Sequence, residues 1–201
     1  MPIEPQKSFL TAAEYLEIER KAEYKSEYFN GEMFAMAGAS RPHNRIATTI
    51  SRVLDTQLLE RDCNVYGSDM RVKIKKINKY TYPDVVITCG KELFEDDKVD
   101  ILLNPIVIVE ILSDSTEAYD RGRKFQHYQF IESLAEYILI AQDAVRLEQY
   151  VRQNDRTWLY SEYQNLSDIV KLESVGCELA LREVYAKMPN IEPQPGIQSQ
   201  S

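Results

Sequence analysis

Residues 104–124 have the sequence NPIVIVEILSDSTEAYDRGRK, in which one glutamate, Glu110, interrupts a run of apolar residues. The apolar residues Ile106–Val109 and Ile111 indicate a β-strand that is covered by the core on both faces. An ionised carboxylate is rarely buried unless another charged group or a metal ion balances it. The sequence therefore predicts that Glu110 has a partner of opposite charge.

A second apolar run, Val85–Ile87, follows directly after Asp84. Two strands that are this apolar should both lie in the centre of one sheet. If they pair as antiparallel neighbours, the start of one strand lies beside the end of the other, and Asp84 comes next to Glu110. Adjacent carboxylates repel each other unless a proton or a cation lies between them. We therefore expect both to bind a divalent metal ion, although Asp84 alone is also a common turn residue after proline.

A helix is expected directly after the Glu110 strand, with Asp114 and Ser115 as its caps and its end near residue 132. Its first turns should lie over the same end of the sheet. Asp120 and Lys124 are four residues apart and share one face of such a helix. A lysine at this place can orient or activate a water molecule, or stabilise the charge that develops on a phosphate. With a metal ion, this arrangement suits phosphodiester hydrolysis.

Two of these residues also have ordinary interpretations. Glu110 could be a structural acid that pairs with Arg121 or Arg123. Lys124 could be a solvated helix residue in an ion pair with Asp120. The joint placement of the residues favours the metal site over these alternatives.

The remaining pattern predicts an α+β (mixed α/β) fold, in which a central mixed sheet is flanked by helices. Thr11 and Glu14 form a capping-box pattern, and Asn30-Gly31 is a strong hairpin signal. The other predicted elements are helices at about 12–22 and 42–60, strands near 71–76 and 82–88 with a turn around Asn78, and strands in EYILIA, VRLEQYVRQ and RTWLYSEY.

Length and composition indicate one domain over residues 1–188 and a disordered tail at 189–201, where proline and polar residues accumulate. Of the 201 residues, 44% are hydrophobic and 28% are charged. No apolar run approaches the roughly 18 residues of a membrane span, and the first residues lack a signal-peptide pattern. We therefore expect a cytoplasmic protein that does not contact a membrane.

Charge and metal-binding residue types restrict the possible ligands. The net charge of -8 argues against tight non-specific binding of nucleic acid, which depends on Lys and Arg. The sequence has two histidines, and Cys63, Cys89 and Cys177 form no closely spaced pair. We therefore expect neither a disulfide framework nor a zinc site. A bound metal should have oxygen ligands, which suits a hard ion such as magnesium.

Arg71, Lys73 and Lys75 alternate with apolar residues, as on a strand with one solvated face. This face could follow the phosphate backbone of a nucleic acid. The alternative is an edge strand whose lysines prevent aggregation, and both interpretations stay open.

Three further residues are left out of the predicted catalytic set. His43, at a helix start, could approach the site or its substrate, but a histidine there more often bonds only its neighbours. Glu27 and Glu32 flank the hairpin turn, and either could reach a metal as an extra acid, but exposed charges are the ordinary case there.

Three segments together carry a resemblance to a known family: Tyr82–Val86 (YPDVV), Val109–Ser113 (VEILS) and Ser115–Lys124 (STEAYDRGRK). In this order and spacing the chain resembles the Uma-two family of restriction endonucleases, part of the PD-(D/E)XK nuclease superfamily. The resemblance extends from Thr11 to Tyr137. It implies a restriction-endonuclease-like core in which Asp84, Glu110 and the backbone carbonyl of Ile111 bind magnesium.

The chain departs from the superfamily pattern at one position. The pattern has a lysine two residues after the glutamate, where this chain has Leu112. The resemblance implies that Lys124, on the following helix, has taken over the lysine's role.

We therefore expect a Mg²⁺-dependent endonuclease, with Mn²⁺ as a second suitable ion, that hydrolyses phosphodiester bonds in DNA. Asp84, Glu110 and Lys124 are its predicted catalytic residues, and the related nucleases suggest a homodimer. The alternative is an inactive protein of the same fold that serves as a nucleic-acid-binding or protein-interaction module. Leu112 and the acidic net charge support that alternative. A third hypothesis is a metal-dependent hydrolase of another phosphoester.

Overall fold

Helices and strands alternate along the part of the chain that the computed structural model describes, residues 9–154, 156–188 and 191. Their order is α1 (Ala12–Glu19), β1 (Ser26–Phe29), β2 (Glu32–Ala35), α2 (Arg41–Leu58), β3 (Cys63–Gly67), β4 (Arg71–Ile74), β5 (Lys79–Thr81), β6 (Val85–Cys89), β7 (Ile101–Leu102), β8 (Val107–Leu112), α3 (Glu117–Tyr119), α4 (Phe125–Tyr128), β9 (Glu136–Ala141), β10 (Leu147–Asn154), β11 (Thr157–Tyr163), β12 (Ile169–Leu172), β13 (Cys177–Ala180) and α5 (Leu181–Val184). A 3₁₀ turn (Lys75–Ile77) follows β4, and a π-helical turn (Asp120–Lys124) joins α3 to α4. The predicted tail at 189–201 lies outside these residues, apart from Ile191.

A six-stranded mixed sheet forms the centre of the molecule, with the strand order β11-β10-β9-β8-β6-β3. β8 and β9 pair in parallel, and β6 pairs antiparallel with β8, with Val85 opposite Val109. Every residue of β8 is buried, because both faces of the sheet are covered. The predicted mixed α+β fold and the predicted pairing of these two strands are confirmed.

A second sheet has five strands, in the order β2-β1-β5-β4-β7. Its β1–β2 hairpin turns at Asn30 and Gly31, whose φ angles are 53° and 83°. A two-residue turn with positive φ at both positions follows the twist of the strands, and Asn-Gly adopts it readily. The predicted hairpin is confirmed.

Helix α2 covers one face of the central sheet. Its N-terminus is capped by Ser40, whose side chain accepts the backbone N–H of His43. Its apolar residues recur at helical spacing and are all buried: Ile46, Ile50, Val53, Leu54 and Leu58. They pack against strands of the sheet and against β12, β13 and α5. α4 and strands β4 and β7 contribute to the core on the other face, where Tyr128 contacts the cluster of Ile108 and Leu139.

Some predicted boundaries differ from the structure. The strand expected at 82–88 begins only at Val85, as β6, because Pro83 just before it has no N–H for the ladder. β5 (Lys79–Thr81) was not predicted. The helix expected from Asp114 to residue 132 is the shorter segment α3, π-helical turn and α4. It begins at Glu117, whose N–H is bonded to the carbonyl of Ser113. Strands β3 and β7 were not predicted.

The cysteines correct the expectation that no disulfide forms. Cys63 of β3 lies directly opposite Cys89 of β6, and the two form a disulfide. The residues are 26 positions apart, so the sequence gives no sign of the strand pairing that brings them together. Cys177 is buried and has a free thiol.

Within the described residues, no helix is both long enough and apolar enough to cross a membrane. The domain boundary at residue 188 and the cytoplasmic location stay predictions.

Candidate active site

Asp84 and Glu110 lie side by side at one end of the central sheet, where β6 begins and β8 approaches its end. Oδ2 of Asp84 accepts the backbone N–H of Ile111 at 2.7 Å. The Glu110 side chain is buried, with 3% of the residue exposed. Burial raises the pKa of Glu110 to about 8, against the effect of Lys124, and repulsion from Asp84 and Asp120 adds to the shift. The structure thus brings the two predicted carboxylates together in a buried place.

Lys124 joins them from the π-helical turn. Its Nζ lies 2.8 Å from Oε1 of Glu110 and 3.4 Å from Oδ1 of Asp120. Burial lowers the pKa of Lys124, but the carboxylates of Glu110, Glu27 and Asp120 raise it more, so that it lies well above its ordinary value. Lys124 is therefore a permanent cation within an acidic cluster. A π-helical turn inside a helix is often found at a functional site.

Glu27, which the sequence suggested to be an exposed hairpin residue, also belongs to the cluster. Its Oε2 lies 3.1 Å from Nζ of Lys79, and its Oε1 lies 4.0 Å from Nζ of Lys124. It also accepts a hydrogen bond from the hydroxyl of Thr81. Burial raises the pKa of Glu27, but Lys124 and Lys79 lower it more, and the net shift is downward. The contact depends on the pairing of β1 with β5, which no local sequence signal reveals.

His43 is the second residue that sequence reasoning missed. Its Nε2 lies 3.1 Å from Oδ2 of Asp84, the oxygen that also accepts the N–H of Ile111. With the ring proton on Nε2, His43 donates to this oxygen. Its Nδ1 is buried and has no hydrogen-bond partner among the described residues. The signal in the sequence was the Ser40 cap, which places His43 in the first turn of α2, but the distance to Asp84 could not be predicted.

Tyr128 fixes the second carboxylate. Its hydroxyl donates to Oε1 of Glu110 at 2.7 Å, the same oxygen that Lys124 contacts. In the described residues, hydrogen bonds reach Glu110 at Oε1 and Asp84 at Oδ2. Among the described residues, no hydrogen bond is donated to the second oxygen of either carboxylate, Oε2 of Glu110 or Oδ1 of Asp84.

The composition of the cluster suits a divalent cation. Four carboxylates and two ammonium groups meet here: Glu27, Asp84, Glu110 and Asp120 with Lys79 and Lys124. When all are ionised, which for Glu110 alone means a pH above its pKa of about 8, four negative and two positive charges leave an excess of two negative charges. This excess matches the charge of one divalent metal ion.

A metal ion at this place would have few ligands from the chain. The described residues contain no group of three or more His, Cys, Asp or Glu arranged to hold a metal. Mg²⁺ is usually bound through only one or two carboxylates, together with water and substrate phosphates. Asp84 and Glu110 fit that requirement. The predicted role of the Ile111 carbonyl as a further ligand stays a prediction.

The predicted nucleic-acid-binding residues do not form one exposed face. Arg71 is buried, and its Nε donates to the hydroxyl of Tyr82 at 2.8 Å. Lys73 forms an ion pair with Glu95, and Lys75 is exposed in the 3₁₀ turn. β4 also lies between β5 and β7, so the edge-strand alternative does not apply. Nucleic-acid binding by these residues stays a prediction.

Comparison with known proteins gives matches over most of the chain. The model of the Uma2 (Uma-two) family, described as "Putative restriction endonuclease", matches residues 12–182. An uncharacterized protein of Synechocystis sp. (strain ATCC 27184 / PCC 6803 / Kazusa), sll1609, is 41% identical over 153 residues, which cover 76% of this chain and 86% of that protein. A second uncharacterized protein of the same strain, slr1290, is 36% identical over 176 residues, or 88% of this chain and 91% of that protein.

A solved structure shares the fold. It comes from Anabaena variabilis ATCC 29413 and is described as "a putative nuclease belonging to DUF820". The TM-score is 0.73 at 18% sequence identity, and the match covers 88% of this chain and 98% of the other. The resemblance seen in the sequence is confirmed, and so is the expected fold.

Proposed function

Since the chain belongs to the Uma2 family, described as "Putative restriction endonuclease", we propose that it is a metal-dependent endonuclease that hydrolyses phosphodiester bonds in DNA. One observation carries the proposal. Asp84, Glu110 and Lys124 come from three separate segments of the chain, and they meet in one buried cluster at the end of the central sheet. Burying these charged groups costs folding free energy, and groups with strongly shifted pKa values that meet in this way are characteristic of functional sites.

In this mechanism Asp84 and Glu110 would hold the metal ion, Mg²⁺ or Mn²⁺, and the carbonyl of Ile111 would be a further ligand. The bound ion would activate water and neutralise charge on the phosphate. The chain keeps both carboxylates in place. His43 and the N–H of Ile111 hold Asp84, and Tyr128 and Lys124 hold Glu110.

Lys124 acts in this mechanism as a cation and a hydrogen-bond donor. Burial lowers its pKa, but the carboxylates of Glu110, Glu27 and Asp120 raise it above the ordinary value and so favour its protonated form. It can orient the attacking water through a hydrogen bond and stabilise the negative charge that develops on the phosphate oxygens. Leu112, at the position of the usual lysine, is buried in β8, so the cation comes from the helix instead.

Cleavage of supercoiled plasmid and of single-stranded DNA with Mg²⁺ or Mn²⁺ tests the proposal. Asp84→Asn, Glu110→Gln and Lys124→Met should each lower the cleavage rate by about 100-fold or more, since each removes a group that the transition state needs. Glu132→Gln, which removes an exposed acid, is the matched control and should cut like the wild type. Cleavage that survives Lys124→Met but not the carboxylate changes would remove Lys124 from the mechanism and keep the metal site.

Thermal unfolding gives a second, independent measurement. Mg²⁺ or Mn²⁺ should raise the Tm of the wild type by an amount that grows with ion concentration, and Asp84→Asn should remove this increase. A wild type that neither cuts DNA nor gains stability from metal would contradict the proposal and favour the inactive binding module. Competition by RNA and by small phosphoesters in the cleavage assay separates DNA from the other candidate substrates.

The expected homodimer stays a prediction. Sedimentation of the purified chain over a range of concentrations measures its oligomeric state directly, with and without DNA.

A further inference from the structure

One side of the segment from α3 to the turn after α4 carries aromatic and basic side chains. Tyr119, Arg123, His127 and Phe130 follow one another at spacings of four, four and three residues. Residues at these spacings lie on one side of a helix. Tyr119 and Phe130 are 39% and 40% exposed, so part of each ring is open to a ligand.

Two further elements extend this surface. Lys76, from the 3₁₀ turn, places its Nζ 4.7 Å from the ring centroid of Phe130. The ring of Phe29, from β1, lies 4.9 Å from that of His127. We call the group of Tyr119, Arg123, His127, Phe130 and Lys76 the basic-aromatic strip.

The charges of the strip are available to a ligand. Arg71 and Lys73, by contrast, are held by groups of the protein itself. Within the described part of the chain, neither Arg123 nor Lys76 pairs with a carboxylate. The pKa of His127 is lowered by burial and by the neighbouring charges of Lys79 and Arg123. His127 therefore contributes a neutral aromatic ring, while Arg123 and Lys76 contribute positive charge.

The strip is connected to the carboxylate cluster. Nζ of Lys79 donates to the hydroxyl of Tyr119 at 2.7 Å and lies 3.1 Å from Oε2 of Glu27. Glu27 in turn lies 4.0 Å from Lys124. Tyr119 thus lies where the strip meets the candidate active site, and the rest of the strip leads away from it along the segment to Phe130.

We propose that the basic-aromatic strip binds a single-stranded stretch of nucleic acid and leads its backbone to the carboxylate cluster. The proposal rests on the nuclease function proposed above. Tyr119 and Phe130 stack on unpaired bases, and Arg123 and Lys76 contact phosphates. Exposed rings among cations are the usual means of binding single strands. In a duplex the bases are stacked inside, and flat side chains on a protein surface cannot reach their faces.

Fluorescence anisotropy with a labelled single-stranded oligonucleotide tests the proposal, with the duplex of the same sequence measured in parallel. EDTA is present, so that no cleavage takes place. The wild type should bind the single strand more tightly than the duplex. Phe130→Ala and Tyr119→Ala should each weaken this binding about fivefold or more, the loss of one stacking contact. Arg123→Ala and Lys76→Ala should each reduce the slope of log affinity against log salt by about 0.7.

Matched controls separate the strip from a general effect of the substitutions. Tyr24 is 69% exposed and Lys21 is also exposed, and both lie outside the strip. Tyr24→Ala and Lys21→Ala should leave single-strand affinity unchanged. Phe130→Tyr keeps an aromatic ring and should bind like the wild type. Thermal unfolding of each variant shows that it is folded, and an RNA oligonucleotide of the same sequence reports any preference for the sugar.

The results test the role of the strip separately from the proposed nuclease activity. Equal single-strand affinity in wild type and strip variants would overturn the proposal, and so would tighter binding of the duplex. If DNA is cut with metal and the strip variants bind normally, the strip fails while the nuclease stands. If single-strand binding is lost in the strip variants and no DNA is cut, the strip holds and the nuclease fails.

Discussion

At the scale of single residues, the two oxygens of Asp84 have different surroundings. Oδ2 accepts the N–H of Ile111 and lies beside His43, whereas Oδ1 has no donor among the described residues. Groups that hold a metal-binding carboxylate from behind set its orientation and its affinity for the ion. In this interpretation His43 is a positioning residue, which acts on the metal through Asp84.

We predict that His43→Ala weakens Mn²⁺ binding by about 10- to 100-fold, the usual effect of removing such a partner. Isothermal titration of the metal measures the change. His43→Gln can still donate a hydrogen bond and should recover part of the affinity. Asn44→Ala, at the exposed neighbouring position of α2, is the control and should bind Mn²⁺ like the wild type. Unchanged Mn²⁺ affinity in His43→Ala would show that His43 has no positioning role for Asp84.

At the scale of elements, the strand β3 at the edge of the central sheet has an additional constraint. Its only strand partner in that sheet is β6, to which the Cys63–Cys89 disulfide joins it. β6 is also the strand that Asp84 precedes. A crosslink of this kind reduces the conformational entropy of the unfolded chain.

We predict that Cys63→Ser lowers the free energy of unfolding by about 3 kcal/mol, the chain-entropy effect for residues 26 positions apart. Urea unfolding of the oxidised wild type and of the variant measures the difference. A thiol reductant should lower the stability of the wild type and leave Cys63→Ser unchanged. If the reductant affects neither, the disulfide does not form in solution.

Most of the elements were predictable because they carry local signals. Local sequence patterns indicated three of them directly: the amphipathic pattern of α2, the Asn30-Gly31 turn and the apolar run of β8. β3 and β7 have no such pattern, since β3 is half-exposed and β7 has two residues. The π-helical turn was also unpredictable, because it depends on how Asp120 and Lys124 fit against the sheet.

At the scale of the whole molecule, ion pairs link segments far apart in the sequence. Arg20, just after α1, pairs with Asp96 and Asp100 in the loop before β7. Arg71 of β4 lies 3.5 Å from Asp100. The hydrogen bond from Arg20 is the main reason that the pKa of Asp100 lies below its ordinary value of 3.8. These contacts hold α1 and the loop against the second sheet.

We predict a pH dependence of stability from Asp100. Because its pKa is lower in the folded protein than in the unfolded chain, its ionisation stabilises the fold above about pH 4. This contribution is lost as the pH falls through the folded-state pKa. Between pH 6 and pH 3 the wild type should therefore lose more stability than Asp100→Asn, as measured by thermal unfolding. Asp69→Asn, which removes an acid with 98% of its side chain exposed, should follow the wild type.

The site was predictable in part, because some of its residues lie close together in the sequence and others do not. Asp84, Glu110 and Lys124 lie on neighbouring segments of chain with clear local patterns, so their meeting could be inferred from one strand pairing. Glu27 and His43 reach the cluster from the hairpin and from α2. Their positions depend on the packing of the second sheet and of a helix, which a single sequence does not specify.

The three carboxylates around Lys124 also affect how such a protein can lose its activity in evolution. Glu110, Asp120 and Glu27 all lie within 4.0 Å of its ammonium group. A descendant that replaced Lys124 alone would leave buried negative charges without a counterion, at a cost of several kcal/mol. Inactive descendants should therefore have lost the lysine together with at least one of the acids. Comparison of gene copies for paired losses at these positions would distinguish degenerate members of the lineage from working ones before any protein is purified.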